Sequence, residues 1–214
     1  MIKIFYTTFQ KTLSADQYNA YLSELPPDLQ ARATRYLRWQ AAQAFLLGKM
    51  LLIKGLEDYG LDGRALIGQL KYTQYNRPYL PAKVDFNISH SGEYVVCALS
   101  DQCRVGLDIE KVEPRNLASF QSQMTKDEWQ TVITAADPQR AFLHYWTKKE
   151  AAIKAHGRGM GLGLKEVIIG NGELIMEEKA WPLYEIDLAP GYVCHLVTDM
   201  AINPATIRKA AIVF

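Results

Sequence analysis

The chain has 214 residues, 49% of them hydrophobic, and 24 Lys and Arg against 23 Asp and Glu leave a formal net charge of +1. That length can bury a core without disulfides or structural metals, and the near-zero charge excludes the broad positive field of a general nucleic-acid binder. Cys97, Cys103 and Cys194 are too few and too scattered for a disulfide framework, and none lies in a C-x-x-C pair, so they point to a reducing compartment.

Met1-Ile2-Lys3-Ile4-Phe5-Tyr6 alternates like a strand rather than starting charged and then turning apolar, and no apolar run approaches membrane-spanning length. The expectation is a soluble cytoplasmic protein with no membrane partner. From Ala15 to Gly55 the pattern is helical, with breaks near Pro26-Pro27, and Leu46, Leu47, Met50, Leu51 and Ile53 define a long helix ending at Gly55. Val84, Phe86 and Ile88 then alternate, and Tyr94 to Leu99 follow a Ser91-Gly92-Glu93 turn, which predicts a hairpin. Another strand is expected from Arg104 to Ile109. Helical pattern returns between Thr125 and Ala155, first around Trp129 and again after Pro138, with Phe142, Trp146 and Ile153 on one stripe. Val167 to Ile169 leads into Gly170-Asn171-Gly172, a tight-turn sequence, and further strands are expected at Leu183 to Ile186, Tyr192 to Thr198 and Ala210 to Phe214. Each half runs helix and then strands, which predicts an α+β fold of two units, 1–102 and 103–214, with a ligand groove between them.

Four constellations carry chemistry. In Gly106-Leu107-Asp108-Ile109-Glu110, strand alternation puts both carboxylates on one face, roughly 7 Å apart. Taken alone, that pair is equally a wet strand face whose acids meet lysines. As a ligand set without histidine or cysteine, it favours magnesium or manganese over zinc. In Trp146-Thr147-Lys148-Lys149-Glu150-Ala151-Ala152-Ile153-Lys154, Lys149 falls within an apolar stripe and Glu150 lies one turn before Lys154. Either Lys149 snorkels to solvent beside a surface ion pair, or the stripe faces a cleft where Lys149 meets a phosphate and Glu150 a metal. Phe86-Asn87-Ile88-Ser89-His90-Ser91 gathers an imidazole and two hydroxyls where the chain turns, a set that suits an anion and equally suits the turn itself. Gly157-Arg158-Gly159-Met160-Gly161-Leu162-Gly163 lacks the strand before it and the Lys-Ser/Thr ending of a P-loop, so its expected task is to end a helix.

Taken in order, Asn87-Ile88-Ser89-His90-Ser91, Gly106-Leu107-Asp108-Ile109-Glu110 and Trp146-Thr147-Lys148-Lys149-Glu150-Ala151 make the chain resemble the Sfp-type 4′-phosphopantetheinyl transferases over nearly its whole length. An Arg77-Pro78 turn before the first motif and Glu128 between the last two extend the likeness. The resemblance implies two similar α+β halves related by a pseudo-twofold axis, coenzyme A as co-substrate, an acyl or peptidyl carrier protein as partner, and a monomer. It implies Mg²⁺, or Mn²⁺, on Asp108, Glu110 and Glu150, and Ser89, His90, Lys149 and Lys154 near the phosphates, with Arg77 at the adenine end. The chemistry it implies puts Lys154, with Lys149 and His90, on the developing charge, and leaves the base open among Glu150, Glu128 and a bound water.

The chain departs from the family pattern at the 3′-phosphate grip, where Ala44 stands in place of a common arginine. Arg32 with a neighbour among Arg35, Arg38 and Lys49 is the expected replacement; a solvated basic face toward an acidic carrier is the competing reading. Two other functions use the same residues: a non-catalytic coenzyme A binding homologue and a magnesium-dependent phosphohydrolase. The carrier-facing segment is expected around Asn116 to Gln123 and Thr125 to Glu128, with Phe120 and Met124 as apolar anchors.

Overall fold

The computed structural model describes residues 1–170 and 172–214. The chain starts with β1 (Ile2–Thr8) and α1 (Ala15–Ser23), which Ser14 and Gln17 open with a reciprocal capping box. Pro27 then occupies the first turn of α2 (Pro27–Ala33), where its missing N–H costs nothing. Next come α3 (Trp39–Asp58), α4 (Gly63–Ile67), the short strands β2 (Lys71–Tyr72) and β3 (Pro78–Tyr79), and the hairpin β4 (Asp85–Ser91) and β5 (Tyr94–Ser100). After β6 (Val105–Lys111) and a 3₁₀ turn at Leu117–Gln123 follow α5 (Lys126–Ile133) and α6 (Pro138–His156). The chain closes with β7 (Ile168–Ile169), β8 (Glu173–Met176), β9 (Lys179–Glu185), β10 (Tyr192–Thr198) and β11 (Arg208–Ala211). The class is mixed α+β, as the pattern predicts, and among the described residues no helix is long and apolar enough to cross a membrane.

Two compact units result. The first comprises Met1–Thr73, Pro78–Gln102 and Thr206–Phe214, and the second Gln74–Arg77 and Cys103–Ala205. A single cut between residues 102 and 103 would therefore assign both Gln74–Arg77 and the last nine residues to the other unit. The first unit holds a sheet ordered β11-β1-β5-β4, with β1 antiparallel to β5 and parallel to β11. The strand expected at Ala210 to Phe214 starts two residues earlier and ends at Ala211: Lys3 registers with Arg208 and Tyr6 with Ala211.

Helix α3 packs on this sheet, burying Leu46, Leu47, Met50, Leu51, Leu52 and Ile53. Each such side chain contributes about 1.5–3 kcal/mol relative to exposure. The helix does not end at Gly55 as expected but continues to Asp58. Gly55 is there for proximity: a Cβ at that position would stand 2.5 Å from Leu99 Cδ1. A glycine inside a helix reads as a stop in sequence, yet here it lets helix and sheet approach.

In the second unit the sheet runs β6-β10-β9-β8-β7, and α6 lies across β6 and β10. The contact is closest at Gly106, where a Cβ would meet Ala151 O at 2.0 Å and Ala155 N at 2.3 Å. Ala151, Ala152 and Ala155 supply the small face on the helix side. Asp137 caps α6 and Gly157 ends it in the left-handed region, φ +86°, so the glycine-rich loop begins as a helix stop. The predicted turn at Gly170-Asn171-Gly172 centres on Asn171, which lies outside the described residues.

Candidate active site

The small-residue seam between α6 and β6 brings the side chains of Asp108, on the strand, up against those of the helix. Lys154 Nζ donates to Asp108 Oδ1 at 2.6 Å and to Leu107 O at 3.2 Å. Asp108 is buried, while Lys154 keeps about a quarter of its side chain in solvent. Glu150 sits one turn before Lys154, about 40° around the helix from it. Burial raises the affinity of the Glu150 carboxyl for a proton above the usual range; Lys154 opposes this, and Asp108 and Glu110 add to it. Three carboxylates thus act on one another from two elements, with one ammonium among them.

That donor set fits a hard divalent cation: oxygen ligands, net negative charge, and a mutual repulsion that a cation would relieve. Glu110 has a partner the sequence did not suggest. Arg115 Nη2 approaches Glu110 Oε2 at 3.4 Å and donates to Lys111 O at 3.2 Å. Gln139 fixes the Arg115 backbone, accepting from its N–H and donating to its carbonyl. Arg115 lies in an irregular stretch after Pro114, where no periodicity exists to signal it.

Lys149 and Glu128 form a separate pair. On α6, Lys149 points about 140° away from Lys154, and its Nζ meets Glu128 Oε1 at 2.7 Å and donates to Leu164 O at 3.0 Å. The Lys149 side chain is only 3% exposed, so it does not snorkel to solvent. The other Glu128 oxygen accepts from Thr125 N at 2.9 Å, in a capping box at the start of α5. The Thr125-x-x-Glu128 spacing is the signature of that box and announces in sequence that the carboxylate is engaged on main chain.

Arg77 is buried and donates through Nε to Lys154 O at 3.1 Å and through Nη2 to Val105 O at 3.3 Å. It therefore clamps the last turn of α6 to the start of β6. Gly157 makes room for it, since a Cβ there would lie 2.6 Å from Arg77 Cδ. Phe120 and Met124 face inward as well. Met124 is buried, and Phe120 stacks within 4.9 Å of Phe142 and 5.2 Å of Trp146, ring centre to ring centre. These residues anchor the segment to its own core, with Phe120 half-buried.

In the first unit, Ser89 is buried and His90 exposed on β4. Ala44 is buried in the core beneath α3. Arg32 on α2 donates to the Tyr72 hydroxyl at 3.3 Å and lies 5.3 Å from the Phe45 ring centre, where Lys49 also sits, 5.2 Å away. Burial lowers the Lys49 pKa to about 8, with Cys97 opposing and Arg32 adding to the effect. The two cations gathered on one aromatic ring are Arg32 and Lys49, not Arg35 or Arg38.

Comparison with known proteins gives a consistent picture along the chain. Residues 104–185 match the family described as the 4′-phosphopantetheinyl transferase superfamily, and residues 12–102 match the 4′-phosphopantetheinyl transferase N-terminal family. A 4′-phosphopantetheinyl transferase of Bacillus subtilis is 30% identical over 168 residues, covering 76% of this chain and 74% of the relative. The 4′-phosphopantetheinyl transferase Sfp of B. subtilis strain 168 is 28% identical with 89% of each chain covered, and the transferase gsp of Aneurinibacillus migulanus is 26% identical over the whole chain and 95% of its own length.

Proposed function

Because this chain belongs to the 4′-phosphopantetheinyl transferases, we propose that it takes the phosphopantetheine arm from coenzyme A and places it on a serine of an acyl or peptidyl carrier protein, with Mg²⁺. The observation that carries the reading is the convergence of Asp108, Glu110 and Lys154 on Glu150. Asp108, Glu110 and Glu150 would hold the cation. When bound, it neutralises pyrophosphate oxygens.

The serine oxygen forms a bond to the β-phosphorus, the bridging P–O bond breaks, and 3′,5′-ADP departs with the electron pair. We assign Lys154 to offset charge on the departing phosphate, a role supported by the bond to Asp108 that holds its ammonium among the carboxylates. Glu150 is the proposed acceptor of the serine proton; its raised proton affinity belongs to the cation-free site and would fall with a cation held there, so the choice rests on the engagement of Glu128 elsewhere. Glu128 is less suited to that step, since one oxygen meets Lys149 and the other Thr125. We assign Glu128 and Lys149 to positioning, and Arg77 to holding the backbone at the adenine end. Ser89 and His90 are proposed phosphate contacts, and Arg32 with Lys49 the cations for the 3′-phosphate in place of the family arginine.

The test is to incubate the protein with coenzyme A, Mg²⁺ and an apo carrier, then weigh the carrier. A gain of one phosphopantetheine supports transfer. An unchanged carrier with coenzyme A cleaved would indicate a hydrolase, and an unchanged carrier with coenzyme A intact a binding homologue. Asp108→Ala should remain folded by circular dichroism and lose about 100-fold or more in rate; full activity in that variant would sink the ligand assignment.

A further inference from the structure

A second group of ligand atoms lies one strand along the same sheet from Asp108, which stands opposite His195 in the register of β6 and β10. One ring nitrogen each of His144 and His195 and one oxygen of Glu185 lie within 4.8 Å of one another. His144 is on α6, Glu185 on β9 and His195 on β10, and Glu185 and His195 stand opposite each other in the sheet register. The imidazole rings are 5.5 Å apart, edge to face.

The hydrogen bonds around His195 settle which nitrogen carries its proton. Thr147 has one hydroxyl hydrogen and donates it to Leu143 O at 2.7 Å. The contact of 2.7 Å between Thr147 Oγ1 and His195 Nδ1 then requires the ring to donate from Nδ1. The lone pair falls on Nε2, which is buried and has no hydrogen-bond partner. His195 is 1% exposed. A buried imidazole nitrogen without a partner is costly unless something occupies it. An Nδ1–H held by a neighbouring oxygen is also the arrangement that orients metal-binding histidines.

Burial, with Lys148 and His144 adding to it, lowers the His195 pKa to about 3, so the ring is neutral across the physiological range. His144 is also shifted down, mainly by burial. Glu185 is 61% exposed and gives the group an open side to solvent. Two neutral imidazoles and a carboxylate form a zinc-type set, distinct from the all-oxygen set around Asp108. Ligands on one tetrahedral zinc sit about 3.4 Å apart, as bond lengths of about 2.0–2.1 Å require, so the side chains must draw together, and the exposed Glu185, 4.0 Å from His144 Nδ1, is the freest to move. Lys148 and Arg140 are the cations that face it: both act on His144, and Lys148 also acts on His195 and feels Glu185.

We propose that His144, Glu185 and His195 form a site for one transition-type divalent cation such as Zn²⁺, with a remaining position open to water. The proposal does not depend on the transferase chemistry. The test is titration of untagged full-length protein with Zn²⁺ against a chromophoric chelator in excess Mg²⁺, and with Co²⁺ by visible absorption. One equivalent is expected, and His144→Ala and Glu185→Gln should each weaken it by at least about tenfold. Lys148→Met should tighten it by removing the competing charge. His90 and His156 stay intact in all three variants and serve as internal controls. No Zn²⁺ uptake by the wild-type chain, or equal uptake by the His144 and Glu185 variants, would overturn the proposal.

Discussion

Lys49 carries an electrostatic cost that can be measured. The drop in its pKa from 10.5 to about 8 corresponds to about 3 kcal/mol against the charged form. Below pH 8 both folded and unfolded chains hold the proton, and the folded state bears the full cost. Between pH 8 and 10.5 only the unfolded chain keeps it, so this term stabilises the fold as pH rises. Lys49→Met should therefore be more stable than wild type by up to about 3 kcal/mol at pH 7 in urea unfolding, with the gap closing toward pH 10.5. Cys97, raised by burial to about 12, is common to both proteins and largely cancels from the difference. A cation kept in such a place at a cost to stability fits one reserved for an anionic ligand.

Glu128 presents the opposite case. Glu128→Ala strips the carboxylate from a nearly buried ammonium and should cost about 3 kcal/mol or more. Glu128→Gln, which keeps an acceptor, should cost less, and both effects should appear in urea midpoints without coenzyme A. The sequence singled out Lys149, Glu128 and Glu110, but not Arg115. It did not show who pairs with whom, because the partners of Lys149 and Glu110 come from neighbouring segments whose approach is set by packing rather than by helical or strand period.

The strand β6 and helix α6 form the element on which the site depends. Gly106 is the hinge of that fit: with no side chain there, the strand comes close enough for Lys154 to reach Asp108. Gly106→Ala should force strand and helix apart, lowering the melting temperature by an amount corresponding to about 1–3 kcal/mol. Transfer activity should fall further than stability accounts for, because the carboxylates move with the strand. The β4–β5 hairpin, β10 and the start of α6 were legible from alternation, turn residues and Pro138. The true end of α3 and the capping box of α5 differ in legibility. Gly55 imitates a stop signal and hides the last turn of α3, whereas Thr125 and Glu128 carry the box's signature spacing in plain view.

Across the whole molecule, the chain order and the spatial order part company at β11. The hydrophobic pattern of the last residues announced a strand without naming its sheet, since edge pairing is decided by which neighbour is vacant. Ile212 and Phe214 pack against the first unit's core, and Phe214 meets Tyr21 with ring centres 5.6 Å apart. Removing residues 206–214 should lower stability by about 2–4 kcal/mol, and amide exchange should quicken along β1, whose outer edge loses its ladder.

The return of β11 to β1 also fixes a timetable for synthesis. A ribosome emits β1 first and β11 only after everything through residue 205, so the second unit can form its sheet while the first still has an open edge. For that interval β1 exposes a row of unpaired amides and carbonyls to other nascent chains. Slow translation of the second unit would lengthen the exposure, and a chaperone that covers early strands would be of most use until β11 leaves the tunnel.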